Sequence, residues 1–147
     1  MSGWVVRRFI LWAVRRSPYR QRVVTFGGDF SFSRFAFLWP DEWKGHHRPP
    51  FWRPFNVLLH CWRPSHNGEE FHDHPRWSIT ICLKGKLLEH TPWGERLLTP
   101  GSIVIRSRKA IHAFQVPEGF AGTTWTLFIV GRRNHEQNRY SIRRGVV

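Results

Sequence analysis

The stretch HDHPRWSITICLKG, residues 72–85, decides which fold the sequence predicts. Its first three residues place two histidines two positions apart. In an extended chain such side chains lie on one face, where they can share a metal ion. From Ser78 onward the residues alternate as in a strand, and Gly85 marks a turn. The H-x-H pair alone is a weak signal, because nine histidines in 147 residues give roughly half such a pair per chain by chance.

A second stretch, GSIVIRSRKAIH at residues 101–112, supplies the context. Together the two stretches resemble the signature of the cupin superfamily. Its first motif is H-x-H, three or four residues, Glu, six residues and Gly, and its second is Gly, five residues, Pro-x-Gly, two residues and His. Gly85, Gly101 and His112 are in register with this pattern. The resemblance covers about residues 57–130 and implies an all-β fold, the double-stranded β-helix or jelly-roll barrel.

The sequence departs from that signature at three places. Ser78 occupies the position of the glutamate ligand, so the first motif is degenerate. The Pro-x-Gly turn is replaced by residues 107–109, and the final asparagine by Val116. The chain therefore resembles a small single-domain cupin of bacterial or phage type. Because one fold hosts many reactions, the resemblance implies the architecture more than the activity.

The arrangement of predicted elements agrees with one domain. Residues 4–16 lack Gly and Pro and run into Ser17-Pro18, which predicts a short helix that ends there. Residues 1–56 would hold this helix and a long irregular wrapping segment, residues 57–131 the barrel core, and residues 132–147 a basic tail. Short β-rich runs between turn residues predict seven strands, at Asn56–Trp62, Trp77–Leu83, Lys86–Thr91, Glu95–Thr99, Ser102–Arg106, His112–Val116 and Thr123–Val130.

Three histidines are the candidate metal ligands. His72 and His74 point to one side of an extended chain, and His112 would arrive from a later strand to complete a three-imidazole face. Three neutral ligands leave a divalent ion with its full charge and with open positions, as suits iron, zinc, nickel or manganese. Such a site favours a small anionic molecule, and Arg76 is the candidate clamp for its carboxylate.

Four further residues are candidates for a fourth ligand or for the pocket wall. Glu89 and His90 are adjacent on one strand, so only one of them can face inward. Ser78 would lie beside the ion as a poor ligand. The full set is His60, Ser78, Glu89 and His90. Cys82 is expected to be a packed thiol.

Composition and charge exclude several classes of protein. A content of 41% hydrophobic and 16% aromatic residues excludes global disorder, and no apolar run has the ~20 residues of a membrane span. The net charge of +13 lies mostly at the ends, since residues 1–28 carry +6 and residues 131–147 carry +4. Nucleic acid or an anionic surface bound by these ends is a possible partner but is not favoured. Two cysteines without framework spacing indicate a reducing compartment, the cytoplasm.

Two functions of different classes remain open. The first is a metal-dependent enzyme, dioxygenase-like and similar to thiol dioxygenases, that acts on a small anionic molecule. The alternative is a non-catalytic cupin that binds, senses or serves as a scaffold after losing the glutamate ligand. A metal-free epimerase ranks last, because Tyr19 and Tyr140 lie outside the cupin region and leave no tyrosine acid in the barrel. The resemblance also implies a homodimer, for which the apolar 4–16 stretch is suited.

Overall fold

The structure is a computed structural model that describes residues 3–17, 19–24, 30–36, 54–63, 71–74, 76–120, 123–131 and 139–140. These ranges contain the helix α1 (Gly3–Arg16) and the strands β1 (Tyr19–Val24), β2 (Phe30–Ala36), β3 (Phe55–Trp62), β4 (Phe71–His72), β5 (Ser78–Lys84), β6 (Leu87–Thr91), β7 (Gly94–Leu98), β8 (Ile103–Arg106), β9 (Ala113–Gln115), β10 (Thr124–Gly131) and β11 (Arg139–Tyr140).

The seven strands expected from the sequence are all present, and each end agrees to within one residue. The helix also agrees, since it begins at Gly3 and ends at Arg16. No helix in the described ranges is both long enough and apolar enough to cross a membrane. Periodicity and turn residues were therefore sufficient to locate these seven strands.

The N-terminal segment differs from the expectation. Part of the stretch predicted to be irregular is strand β2, which pairs with β3 and so extends the same sheet. Strand β1 pairs with β2 in turn. Strand β11 lies within the predicted basic tail and pairs with β4, with Tyr140 opposite Phe71. Residues 37–53 of the wrapping segment, and residues 132–138 and 141–147 of the tail, lie outside the described residues.

Three antiparallel sheets form the jelly-roll barrel. The largest has the strand order β1-β2-β3-β10-β5-β8, the second has the order β7-β6-β9, and the third pairs β11 with β4. The inward side chains of the first two sheets meet in a common apolar core. This core consists of Phe32, Trp62, Cys82, Leu87, Leu98, Val104, Phe114 and Val116. Residues from both sheets are thus needed to exclude water from the interior.

Helix α1 docks on the outer face of the large sheet. Val6, Ile10 and Ala13 are buried on one side of the helix. They pack with Phe35 of β2 and with Leu59 and Cys61 of β3 in a second apolar cluster. The opposite side of the helix remains exposed. The buried side of the 4–16 stretch thus packs on β2 and β3 of the same chain.

Gly85 shows why the first motif requires glycine. Its φ of +80° lies in the left-handed region. An added Cβ would also come within 2.7 Å of the backbone Cα of Thr124. This close approach joins the β5–β6 turn to β10, where the Lys86 amide donates a hydrogen bond to Thr124 Oγ1 at 3.2 Å.

Candidate metal centre

The two motifs meet through a backbone bridge between His72 and His112. The His72 amide donates to the His112 carbonyl at 2.9 Å, and the His112 amide donates to the His72 carbonyl at 3.0 Å. In such a hydrogen-bonded antiparallel pair the two Cα atoms lie about 5.5 Å apart. Residues 40 positions apart in sequence are thereby placed side by side, and His74 follows two residues along the same extended segment.

The three imidazoles form a nearly equilateral triangle. Their ring centroids are 5.0, 5.0 and 4.9 Å apart, for the pairs 72–74, 72–112 and 74–112, and adjacent ring planes are inclined by 69° to 86°. One nitrogen from each ring lies within 4.8 Å of those of the other two. The Nε2 atoms of His74 and His112 are 2.8 Å apart. Two ligands about 2.1 Å from one ion and at right angles lie about 3.0 Å apart, so the residues fit a shared metal ion.

Glu89 fixes the orientation of one of these rings. Its Oε1 accepts a hydrogen bond from Nδ1 of His112 at 2.9 Å, and both side chains are almost fully buried. A carboxylate can only accept here, so the proton of the neutral ring is on Nδ1 and the lone pair is on Nε2. Nε2 is the nitrogen that faces His74. Glu89 therefore lies behind a candidate ligand, in the position of a carboxylate that supports a metal-bound histidine.

Two arginines hold that glutamate in its ionised form. Arg106 donates from Nε to Oε1 at 2.5 Å, and Arg96 donates from Nη2 to Oε2 at 2.5 Å. Burial opposes ionisation of Glu89, but hydrogen bonds from His112 and Arg106 outweigh it and keep the pKa of the carboxyl far below its usual range. The sequence did not identify Arg106 as a site residue. The sequence did contain one indication: Arg106 is two residues after Val104 on the predicted strand, so both side chains point to the same, inward face.

Burial keeps the candidate ligands neutral. It lowers the pKa of the His112 imidazole to about 4, against the opposing effect of the Glu89 hydrogen bond. Burial likewise lowers the pKa of His74 well below its ordinary value, and the charges of His112, His72, Arg106 and Arg34 act in the same direction. Both rings are therefore unprotonated near pH 7, which is the form that coordinates a metal.

His60 lies on the inner face of β3, outside the triangle. Its Nε2 accepts a hydrogen bond from Nε of Arg34 at 3.3 Å. Its ring centroid lies 5.2 Å from that of Phe128 with the planes tilted by 34°, and the Phe128 ring is also 5.5 Å from His74. Burial, followed by the charge of Arg34, lowers its pKa well below the ordinary value. Phe128 thus separates His60 from the three-histidine group.

The other candidates lie at different places around the barrel. Ser78 is completely buried on β5, and Arg76 is buried with Nη1 donating to the Gly131 carbonyl at 3.3 Å. Cys82 belongs to the apolar core, where burial raises the pKa of its thiol to about 11. It is thus a packed thiol, as expected.

His90 has a separate set of partners. Its Nδ1 lies 2.7 Å from the Glu95 carboxylate, and its Nε2 lies 3.2 Å from Oε1 of Gln115. Both His90 and its neighbour Glu89 are buried, but Glu89 contacts His112 and His90 does not. The alternation of the strand places the two side chains on opposite faces.

Comparisons with known proteins support the architecture. No protein-family model matches the sequence, and no curated protein sequence is similar to it. Among solved structures, the DMSP lyase DddQ from Ruegeria pomeroyi DSS-3 aligns with a TM-score of 0.63 at 16% identity, over 94% of this chain and 68% of the lyase.

Two further structures show the same fold. FeII HppE aligns with a TM-score of 0.55 at 13% identity, over 76% of this chain, which spans only 55% of the HppE chain. A protein from Ralstonia eutropha JMP134, described as having a cupin-like fold, aligns with a TM-score of 0.50 at 16% identity, over 76% of this chain and 62% of that one. The jelly-roll topology, the meeting of the two motifs and these similarities together show that this chain has the cupin fold.

Proposed function

We propose that the protein is a metal-dependent enzyme that binds a divalent ion through His72, His74 and His112 and acts on a small anionic molecule. The observation that carries this proposal is the convergence of three imidazoles, one of them oriented by the buried carboxylate of Glu89. The Nε2 atom of the oriented ring lies 2.8 Å from Nε2 of His74, so the two nitrogens are close enough to bind one ion. One structural neighbour, HppE, is an iron(II) protein.

The protein residues prepare the site in three ways. Glu89 keeps the His112 proton on Nδ1, so that Nε2 is available as a ligand. Phe128 covers one side of His74 and limits the access of water. Arg106 adds positive charge, which favours an anionic substrate over a neutral one. A bound divalent ion would supply a Lewis acid with open positions and, if redox-active, a means of activating dioxygen.

The proposed reaction class is dioxygenase-like. Both atoms of dioxygen enter the substrate, and the substrate supplies all four electrons, so no separate reductant is required. A site with three neutral ligands suits this chemistry, since it leaves positions for substrate and dioxygen together.

Metal uptake tests the first part of the proposal. The purified chain is incubated with Fe(II) without oxygen, or with Zn(II), and bound metal is measured after gel filtration. We expect about one ion per chain in the wild type and none in His74→Ala, because two remaining imidazoles bind weakly. His90→Gln is the matched control, since His90 contacts Glu95 and Gln115 rather than the triangle. Equal uptake by wild type and His74→Ala would refute the site.

The second candidate function is a non-catalytic metal-binding or sensing module. Ser78 favours it, because a neutral hydroxyl replaces the carboxylate ligand of the cupin signature and lowers the affinity for the ion. Oxygen consumption by the Fe(II)-loaded protein separates the two functions. We expect uptake of dioxygen with small carboxylate-bearing thiols in the wild type and none in His74→Ala. Stoichiometric iron without turnover of any such compound would favour the binding module.

We propose that two copies of the chain form a homodimer in the cytoplasm. The outer face of the large sheet carries an uncharged apolar strip at one edge, where Ile103 and Ile105 are 63% and 75% exposed. Their cross-strand partners on β5 are Ile81 and Ile79. Two copies related by a twofold axis can bury this strip against the same strip of the partner. The two buried cysteines, Cys61 and Cys82, support a reducing compartment.

A further inference from the structure

Two buried polar atoms near the candidate metal centre have no hydrogen-bond partner in the described part of the chain. They are Oγ of Ser78 and Nη2 of Arg106. Neither residue lies at the surface, since Ser78 is fully buried and Arg106 is 5% exposed. Leaving a buried donor without a partner destabilises the fold, and more so when the donor is charged. Such atoms in a native fold indicate a ligand or water that completes them.

The two atoms belong to neighbouring residues. Ser78 on β5 and Arg106 on β8 are direct partners in the antiparallel register. Their Cβ atoms therefore lie about 5 Å apart, on the same inward face of the sheet. Both orphan atoms therefore belong to side chains of the same inward face.

The other two guanidinium nitrogens of Arg106 each have a partner. Nε donates to Glu89, and Nη1 donates to Oγ1 of Thr80 at 2.7 Å. These two contacts fix the plane of the guanidinium and direct Nη2 to a single place. An arginine whose position is set in this way loses little side-chain entropy when it binds a ligand.

This pair of atoms adjoins the three histidines. Glu89 Oε1 accepts from both Arg106 and His112, so one oxygen joins the two groups. The Arg106 guanidinium carbon is also 5.2 Å from the centre of the Phe114 ring, which lies 4.7 Å from the His112 ring. A molecule of a few heavy atoms can span from one group to the other.

The charge balance favours an anion. Arg106 and Arg96 share the single carboxylate of Glu89, which leaves excess positive charge beside the orphan donor. Nη2 can only donate, and a serine hydroxyl can also donate. Two donors and a positive charge match a carboxylate oxygen pair or a similar small oxyanion.

We propose that Arg106 Nη2 and Ser78 Oγ form an anion subsite that holds the carboxylate of a substrate whose reacting end lies at His72, His74 and His112. This inference rests on the proposed function and names its substrate class, a small carboxylate. Arg76, the clamp expected from the sequence, donates to the Gly131 carbonyl.

Acetate serves as the probe. The full chain, with and without Zn(II), is titrated with acetate by calorimetry in a buffer free of other carboxylates. We expect saturable binding in both forms, and at least a tenfold loss of affinity in Ser78→Ala and in Arg106→Lys. Arg106→Lys keeps a positive charge beside Glu89 but removes the guanidinium group with its Nη2 atom. Ser33→Ala, a buried serine on β2, is the matched control and retains wild-type affinity.

Thermal unfolding adds an independent readout. Without acetate, Ser78→Ala is expected to melt at the wild-type temperature or above it, because the hydroxyl has no partner to lose. A lower melting temperature would show that a permanent water or protein partner satisfies Ser78, and would overturn the subsite. Equal acetate affinity in wild type and Ser78→Ala, binding that requires Zn(II), or no saturable binding would also overturn it.

Metal uptake is measured on the same samples and separates the two hypotheses. A wild-type chain that takes up Zn(II) and does not bind acetate refutes the subsite alone. A chain that binds acetate and takes up no metal refutes the proposed function, on which the assignment of acetate to a substrate carboxylate depends.

Discussion

At the scale of single residues, Glu89 connects the candidate ligands to the charged wall of the barrel. One buried carboxylate accepts hydrogen bonds from His112, Arg106 and Arg96. Removing this carboxylate would free the His112 ring to reorient. It would also leave the buried charge of Arg106 without its counter-ion. Glu89 is thus a positioning residue for the metal centre as well as a stabilising one.

The substitution Glu89→Gln is therefore expected to weaken both properties. Buried Arg106 would lose its counter-ion, which costs about 3–5 kcal/mol of unfolding free energy. Loss of the carboxylate behind a metal-bound histidine lowers metal affinity about 10–100-fold. Urea unfolding and Zn(II) titration measure the two effects.

Glu95→Gln is the matched control for this prediction. Glu95 also contacts a histidine, but its side chain is 63% exposed and lies outside the three-histidine group. We expect Glu95→Gln to change the unfolding free energy by no more than about 0.5 kcal/mol. If Glu89→Gln bound Zn(II) as tightly as the wild type, the positioning role would be wrong.

The buried histidines also predict how stability depends on pH. His112 has a pKa of about 4 in the folded protein and 6.5 ordinarily, so between these values the unfolded chain binds more protons than the folded chain. The contribution of His112 to the unfolding free energy is then fully present above about pH 6.5. It is lost as the pH falls toward 4, and the loss is roughly 3 kcal/mol. His74 and His60 act in the same direction.

Urea unfolding of the metal-free protein between pH 7.5 and 4.5 measures this dependence. His112→Asn should have a shallower slope, because one of the shifted groups is gone. A metal-free wild type with constant stability over that range would contradict the neutral, buried state of these rings.

Residue spacing identified the histidine triangle but not its surroundings. H-x-H on an extended chain and His112 in register with the second motif are local features that a sequence shows directly. The role of Arg106 depends on Glu89, 17 positions earlier in the chain, and on its fully buried environment. An isolated arginine at the end of a strand usually lies in solvent, so only tertiary structure reveals it.

At the scale of elements, the helix α1 is stabilised by tertiary contacts. A helix of 14 residues is marginal on its own, and this one has four exposed or partly exposed arginines and no acidic residue. Its stability therefore comes from the three buried side chains that face β2 and β3.

Truncation of one of those side chains tests this. Ile10→Ala should reduce the unfolding free energy by about 2–5 kcal/mol, because Ile10 is 7% exposed in the cluster with Phe35 and Leu59. Leu11→Ala is the matched control on the same turn, since Leu11 is 48% exposed, and it should change stability by no more than about 0.5 kcal/mol. Equal effects of the two substitutions would show that the helix does not dock as described.

Element prediction succeeded where the turns are clear and failed where they are not. From β5 to β10 the connections contain Gly or Pro, except the one between β8 and β9, and Gly101 has a φ of +96°. Strand β2 contains alternating Phe and Ser at residues 30–33, which is a usable signal, but the aromatic and proline-rich residues after it obscured the pattern. Strands β4 and β11 have two residues each, too few for any periodicity.

At the scale of the whole molecule, one edge of the large sheet carries exposed apolar surface. The arginine-rich ends account for most of the charge of +13, whereas the outer face of the large sheet is apolar near β8. β8 pairs only with β5 among the described strands, so it forms an edge of the sheet. An exposed apolar edge strand invites association with another chain.

The proposed homodimer predicts a specific response at that edge. Ile105→Lys places a charge in an uncharged strip, where burial against a second copy would desolvate it. Since Ile105 is 75% exposed, the substitution should leave the fold of one chain intact. Light scattering after gel filtration is expected to give twice the chain mass for the wild type and the single mass for Ile105→Lys. Trp93→Lys, at an 86% exposed turn between β6 and β7, is the control and should remain dimeric. A monomeric wild type, or a dimeric Ile105→Lys, would show that this strip is not the interface.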